Sequence, residues 1–263
     1  ARSFAAARQA AVQALCPGAD IAALLDKPNN NLAVEYCKAI IEQNVEMQPI
    51  ALPRQGADHG QALTESSHTA FASASALRAL WAEGGAAALA PYVPQKALKL
   101  YKQAEYDGKY TDFAVMGHCE LALLRAACTE QAPFAAVRGV SEGLEHRLEN
   151  AVRETASLPA LLDALTTVRY PRARMRRLAM DAALGYTAQT PALPPYLHLL
   201  GARKEALSLS GETALPLSHS LARLARENET CAQMAAAQSR ASDLGALCRA
   251  KPEPMGGIYR QKI

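Results

Sequence analysis

Two hydroxyls and an arginine at the start of a helix set the first chemical expectation. Ser73-Ala74-Ser75-Ala76-Leu77-Arg78 places Ser73 and Ser75 beside the backbone N–H groups that a helix N-terminus leaves unpaired, with Arg78 one turn further in. N–H groups, hydroxyls and a guanidinium converging on one point suit a phosphate. Ser75 is equally an ordinary N-cap residue, and both readings stand. Lys27-Pro28-Asn29-Asn30-Asn31 opens another helix. Pro and Asn are turn and cap residues. An Asn amide also pairs a donor with an acceptor, so Asn29 could read an adenine or a ribose. Arg54 follows a short apolar run and precedes a Gly-containing loop. A loop after a strand is where α/β sheets collect anionic ligands, although an exposed surface arginine is the plainer reading. His59 reads as a solvated loop histidine or a phosphate donor.

A second cluster lies far downstream. Residues 169–177 hold five arginines in nine positions: Arg169, Arg172, Arg174, Arg176 and Arg177. Pro171 suits the first turn of a helix on which Arg174 and Arg177 share one face and Arg172 and Arg176 another. Met175, Leu178 and Ala179 form the apolar stripe. Guanidinium groups beside Tyr170 suit RNA phosphates and base stacking. The alternative is a solvated face paired with carboxylates, but few acids lie within a turn in sequence. In Ser141-Glu142-Gly143-Leu144-Glu145-His146-Arg147-Leu148, Ser141 is the expected cap, and Leu144, Leu148, Ala151 and Val152 the core face.

The elements that must carry these residues are helical. Of the 263 residues 50% are hydrophobic and only 5% aromatic, with Ala and Leu dominant, which favours helix over strand. Apolar spacing predicts helices over 3–16, from the Asn run onward, after Ser75 to Gly84, and at roughly 95–104, 111–129, 141–157, 159–169, 171–185, 216–227 and 229–249. Asn30 or Asn31 is the expected cap of the second. Residues 48–53 suit a short edge strand, and Leu197–Leu200 a short extended piece. The Pro/Gly-rich tail from Pro252 is expected to be ordered only by contacts. Pro91-Tyr92-Val93-Pro94 marks a domain boundary.

No apolar run reaches the roughly 18 residues a membrane helix needs, and Ala1-Arg2-Ser3-Phe4 lacks a signal-peptide core. A missing initiator Met fits a truncated or proteolysed chain. The six cysteines show no C-x-x-C or Cys/His metal spacing, so no metal site is expected. Most are expected to be small buried hydrophobes in a reducing cytosol. Residues 1–90 carry 6 Lys/Arg against 8 Asp/Glu, and residues 91–263 carry 22 against 17, so the later part is mildly basic.

Taken in order, Lys27-Pro28-Asn29-Asn30…Glu35-Tyr36, Arg54, Ala72 to Arg78, Gly143 to Leu148, Arg169-Tyr170…Arg174…Arg177 and Tyr196-Leu197-His198-Leu199-Leu200-Gly201 resemble the tRNA(Met) cytidine acetate ligase family of nucleotidyltransferase-like proteins. The resemblance runs along essentially the whole chain. It implies a mainly α chain: residues 1–90 the closing part of an α/β Rossmann-like nucleotidyltransferase domain, residues 91–263 a helical, tRNA-binding domain. It implies a cytoplasmic enzyme that uses ATP, with Mg²⁺, and acetate to make acetyl-adenylate, then acetylates the wobble cytidine of elongator tRNA(Met). Asn29 and Arg54 match family ATP-binding positions. Ser73, Ser75 and Arg78 match the phosphate motif of the wider group. The arginine cluster is assigned to tRNA on charge alone.

The chain departs from the family pattern at several points. The family's N-terminal half, with His-x-Gly-His, is absent from the 263 residues. Asn31 stands at a usually apolar position, Asp58-His59-Gly60 replaces Tyr-His-Asp, and His198 replaces a usual Arg. Two other readings remain: a non-catalytic helical RNA-binding module, and a nucleotidyltransferase acting on a small phosphorylated substrate.

Overall fold

A computed structural model of the chain describes residues 4–17, 25, 27–52 and 72–260. The chain divides into two compact units, Ala1–Ala76 and Leu77–Ile263.

In the first unit, α1 (Phe4–Leu15) is Ala-rich and α2 (Pro28–Glu42) begins at the asparagine run. Arg8 pairs with Glu35 at 2.8 Å and ties the two together. The expected Asn cap is corrected. Lys27 is the cap residue of α2 in extended conformation, and Pro28 takes the first turn, where its missing N–H costs nothing. Asn31 instead reaches back to the entering chain, its Nδ2 donating to the Leu25 carbonyl at 2.8 Å. The apolar positions Leu32, Tyr36 and Ile41 do recur at helical spacing on α2, but they are exposed. Residues 48–52 form no strand, correcting that expectation, and Pro53 lies outside the described residues. Arg54, His59 and the loop around them also lie outside.

α3 (Ala74–Gly84) stops at Gly85, whose φ of 66° ends the helical path. A 3-10 turn (Ala86–Leu89) follows, with Ala86 and Leu89 buried. It packs on α4 (Gln95–Asp107), and the Glu105 carboxylate accepts the Ala86 N–H at 2.9 Å. Trp81 meets Tyr101 edge-on at 5.4 Å.

The main core is built by α5 (Phe113–Ala127), α6 (Leu144–Glu154), α7 (Leu158–Leu165) and α8 (Arg172–Ala183). Their buried positions follow helical spacing: Leu121 and Leu124, then Leu144, Leu148, Ala151 and Val152, then Met175, Leu178, Ala179 and Ala182. Phe134 joins them from the loop after α5. Asp112 caps α5 by accepting from the N–H groups of Ala114 and Val115 at 2.9 and 3.1 Å. The expected Ser141 cap of α6 is corrected: Gly143, at φ 83°, occupies that position, a left-handed conformation that favours glycine.

A second core lies beyond the Pro-rich linker. The paired strands β1 (Leu197–His198) and β2 (Leu217–Ser218) run parallel, with Leu197 opposite Leu217. The expected helix over 216–227 therefore splits into β2 and the single turn α9 (Leu221–Leu224). A 3-10 stretch (Lys204–Glu212) occupies the connection between the strands. The long helix α10 (Glu229–Leu247) closes this core around Tyr196, Leu221, Leu224, Cys231 and Ala235. The tail is held by contacts: Gly256 N–H donates to Asp243 at 2.7 Å, and Ile258 packs on the cluster. The expectation of mostly buried cysteines is corrected: only Cys231 and Cys248 are buried, and Cys16 and Cys37 are exposed. No helix among the described residues is long and apolar enough to cross a membrane.

Candidate functional site

The serine motif lies where α3 begins. Ser73, not Ser75, is the cap: its Oγ accepts the Ala76 N–H at 3.2 Å and sits 3.0 Å from Ser75 Oγ. Ser73 is buried, whereas Ser75 and Arg78 are exposed. Ser73 Oγ, with the Ala76 N–H pointing at it, and Ser75 Oγ share one hydrogen bond that either hydroxyl can donate, and the remaining hydroxyl capacity at Ser75 faces outward. Ser75 and Arg78 are three residues apart and so share a helix face. Arg78 has no hydrogen-bond or ion-pair partner among the described residues. An exposed hydroxyl and an exposed guanidinium thus share one face at the start of this helix, residue types matched to an anion. Asn29, in the first turn of α2, is exposed. The position of Arg54 lies outside the described residues.

The arginine cluster is sorted by tertiary structure. Arg169 pairs with Glu142 and Arg172 with Asp163, acids brought in from other segments that sequence distance concealed. Arg174 stacks over Tyr170, 5.1 Å from the ring centre, and Arg169 approaches the same ring at 5.7 Å. The stripe of Met175, Leu178 and Ala179 is buried, which turns the arginines outward. Sequence spacing missed Arg138. From the loop before α6 it binds both carboxylate oxygens of Asp181 at 2.7 Å and lies 4.7 Å over Tyr186. Arg138, Arg174 and Arg177 line one groove of about 360 Å³ with Gly139, Leu178 and Asp181.

Two further polar features were not legible in the sequence. Glu120 is 1% exposed, and its Oε1 has no hydrogen-bond partner among the described residues. Burial drives its carboxyl up from 4.5 to about 7, against the opposing pull of Arg176. Near the second core, Tyr196 donates to Gln238 Oε1 at 2.8 Å, and Gln238 Nε2 lies 3.1 Å from His198 Nδ1. His198 Nε2 in turn faces the His219 carbonyl at 3.3 Å. With that carbonyl fixing the proton on Nε2, Nδ1 accepts from Gln238. The His146 side chain projects into solvent beside Glu145. No group of three or more His, Cys, Asp and Glu side chains among the described residues could hold a metal ion.

A largely helical chain with a serine-capped, arginine-bearing helix start and a basic helical body fits the nucleotidyltransferase class. The chain belongs to the HIGH Nucleotidyl Transferase family, whose sequence profile matches residues 1–256. Among its relatives is the tRNA(Met) cytidine acetate ligase of Listeria monocytogenes serovar 1/2a, 31% identical over 186 residues, covering 69% of this chain and 45% of that protein. The enzymes of that name from Geobacillus sp. and Bacillus velezensis are 29% and 26% identical, over 67% and 77% of this chain and 45% and 50% of theirs. The chain thus spans about half the length of the curated relatives it matches. Thermotoga maritima TmcAL, solved with alpha-thio ATP, superimposes with a TM-score of 0.78 at 22% identity, over 95% of this chain and 63% of that one. At that identity the likeness speaks for the fold.

Proposed function

We propose that this chain supplies the later part of an ATP-dependent tRNA(Met) cytidine acetate ligase. Residues 1–90 would close a Rossmann-like nucleotidyltransferase domain, and residues 91–263 would form the helical tRNA-binding domain of a cytoplasmic enzyme. The observation that carries the reading is the start of α3, where Ser73 locks the helix end and Ser75 and Arg78 face outward together. Likeness to ligases of that name along two-thirds of the chain supports it.

In this reading Ser75, Arg78 and the first-turn N–H groups hold the ATP phosphates, with Ser73 orienting Ser75. Arg54 neutralises charge that develops at the phosphates, and Asn29 orients the nucleoside. An acetate oxygen attacks the α-phosphorus and pyrophosphate leaves. The N4 amine of the wobble cytidine then attacks the acetyl carbonyl of the adenylate, and AMP leaves. Positioning and charge stabilisation suffice for both steps. Mg²⁺ would arrive on the ATP phosphates. No His-x-Gly-His segment, which would complete such a site, occurs in these 263 residues. The tRNA would run along the face bearing Arg169, Arg172, Arg174, Arg176 and Arg177.

The test is acetate-dependent exchange of pyrophosphate into ATP, measured on the whole protein with formate, propionate and no acid as comparisons. Exchange that requires acetate supports the reading. No exchange with any acid, tRNA included, removes it. The arginine-lined groove favours one second reading, a non-catalytic RNA-binding module. Arg78→Ala separates the two: the ligase loses exchange and keeps tRNA binding, whereas the module has no exchange to lose.

A further inference from the structure

The groove between the Arg138 loop and α8 carries more positive charge than the fold can neutralise. Three guanidinium groups line it against one carboxylate, Asp181. Asp181 stands four residues after Arg177, the spacing at which it would be that arginine's helical partner. Both of its oxygens already accept from Arg138, through Nε and Nη2, each at 2.7 Å. Arg177 has no ion pair among the described residues, and Asp181 is turned to Arg138 instead. Arg174 has only the face of Tyr170 and a long 3.5 Å approach to the Gly139 carbonyl.

The groove is also rigidly framed. The Arg138 N–H donates to the Tyr186 carbonyl at 3.1 Å, and Val137 pairs with Thr187. With Asp181 given to Arg138, Arg174 and Arg177 remain in the groove without a carboxylate among the described residues, and planar guanidinium forks match phosphate oxygens. Both neighbouring rings are occupied by guanidinium groups, Tyr186 by Arg138 and Tyr170 by Arg174.

We propose that Arg138, Arg174 and Arg177 form a seat for a backbone phosphodiester of RNA, with Asp181 as the residue that positions Arg138. The inference rests on the tRNA reading above and deepens it. It adds Arg138, which lies outside the arginine run, and it assigns the groove to positioning the RNA rather than reading its sequence.

The test is fluorescence anisotropy on the whole protein with two labelled transcripts, elongator tRNA(Met) and an unrelated tRNA, over a salt series. The variants are Arg177→Gln and the double variant Arg138→Gln/Asp181→Asn, which removes the arginine without stranding its carboxylate. Arg249→Gln, at an arginine paired with Glu253, is the charge-matched comparison. A thermal melt of each variant reports folding. The expected result is a dissociation constant raised roughly fivefold for both RNAs and a salt slope shallower by about 1 for each phosphate no longer held, with Arg249→Gln near wild type.

Wild-type slopes in both folded groove variants, with the parent binding tRNA normally, would overturn the groove and leave the ligase reading intact. The same unchanged slopes are expected if the groove serves a small phosphorylated molecule. Loss confined to tRNA(Met) would overturn the positioning role. A parent protein that binds neither RNA would overturn the tRNA reading and the groove with it.

Discussion

Ser73 and Ser75 stand two residues apart and do different work because one is buried and the other is not. Removing the Ser73 hydroxyl unpairs the Ala76 N–H, so Ser73→Ala should destabilise the protein by about 1 kcal/mol in urea unfolding. Ser75→Ala removes a partner of the buried Ser73 hydroxyl, so it should cost up to about 1 kcal/mol and, on the proposed function, raise the KM for ATP in the exchange assay. Arg78→Ala should lower acetate-dependent exchange by about 100-fold or more, the usual scale for losing a group that stabilises developing charge. Glu120 makes a prediction in pH. Its carboxyl is raised to about 7 in the fold from 4.5, so the folded state holds its proton longer than the unfolded chain does. The stability this group contributes is complete below pH 4.5 and is lost as pH rises through 7. Melts from about pH 5 to 8 should show a loss of about 2 kcal/mol in the wild type that Glu120→Gln does not share.

The helices of the main core are written in local sequence because each buries one stripe against the others. Leu148 is fully buried on the stripe of α6, so Leu148→Ala should cost about 3 kcal/mol by equilibrium unfolding. Asp112→Ala should cost about 1 kcal/mol through the first turn of α5. The positions of α4 through α8 and α10 follow from apolar spacing, and the stripes of α6 and α8 are buried as that spacing predicts. The errors fall at ends and in short pieces. Lys27 caps α2 because Pro28 already satisfies the first turn, which leaves the asparagines further in. Gly143 replaces Ser141 at the start of α6 because the chain enters there through a left-handed residue. β2 reads as helix in sequence because two residues hold too little pattern to reveal a strand. Its partner, Leu197–His198, is remote in the chain.

For the molecule as a whole, charge is the quantity that composition predicts and structure redistributes. With 22 Lys/Arg against 17 Asp/Glu over residues 91–263, tRNA binding should weaken by roughly tenfold or more between about 50 and 200 mM salt. Mainly helical character, the helix bearing four of the five clustered arginines and the Ser/Arg helix start are legible in the residues, since each depends on neighbours within one or two turns. Which arginines remain open is not. Glu142 neutralises Arg169 and Asp163 neutralises Arg172 only once α7, α8 and the loop before α6 have packed, and Asp181 is withdrawn from Arg177 by an arginine 43 positions away. Burial of Glu120 likewise needs the surrounding packing to exclude water from a residue that its own helix would equally allow to face solvent. Local order decides helix type and spacing because backbone hydrogen bonding reaches four residues. Pairing, burial and the shift of a carboxyl are decided by atoms that only the folded chain brings together.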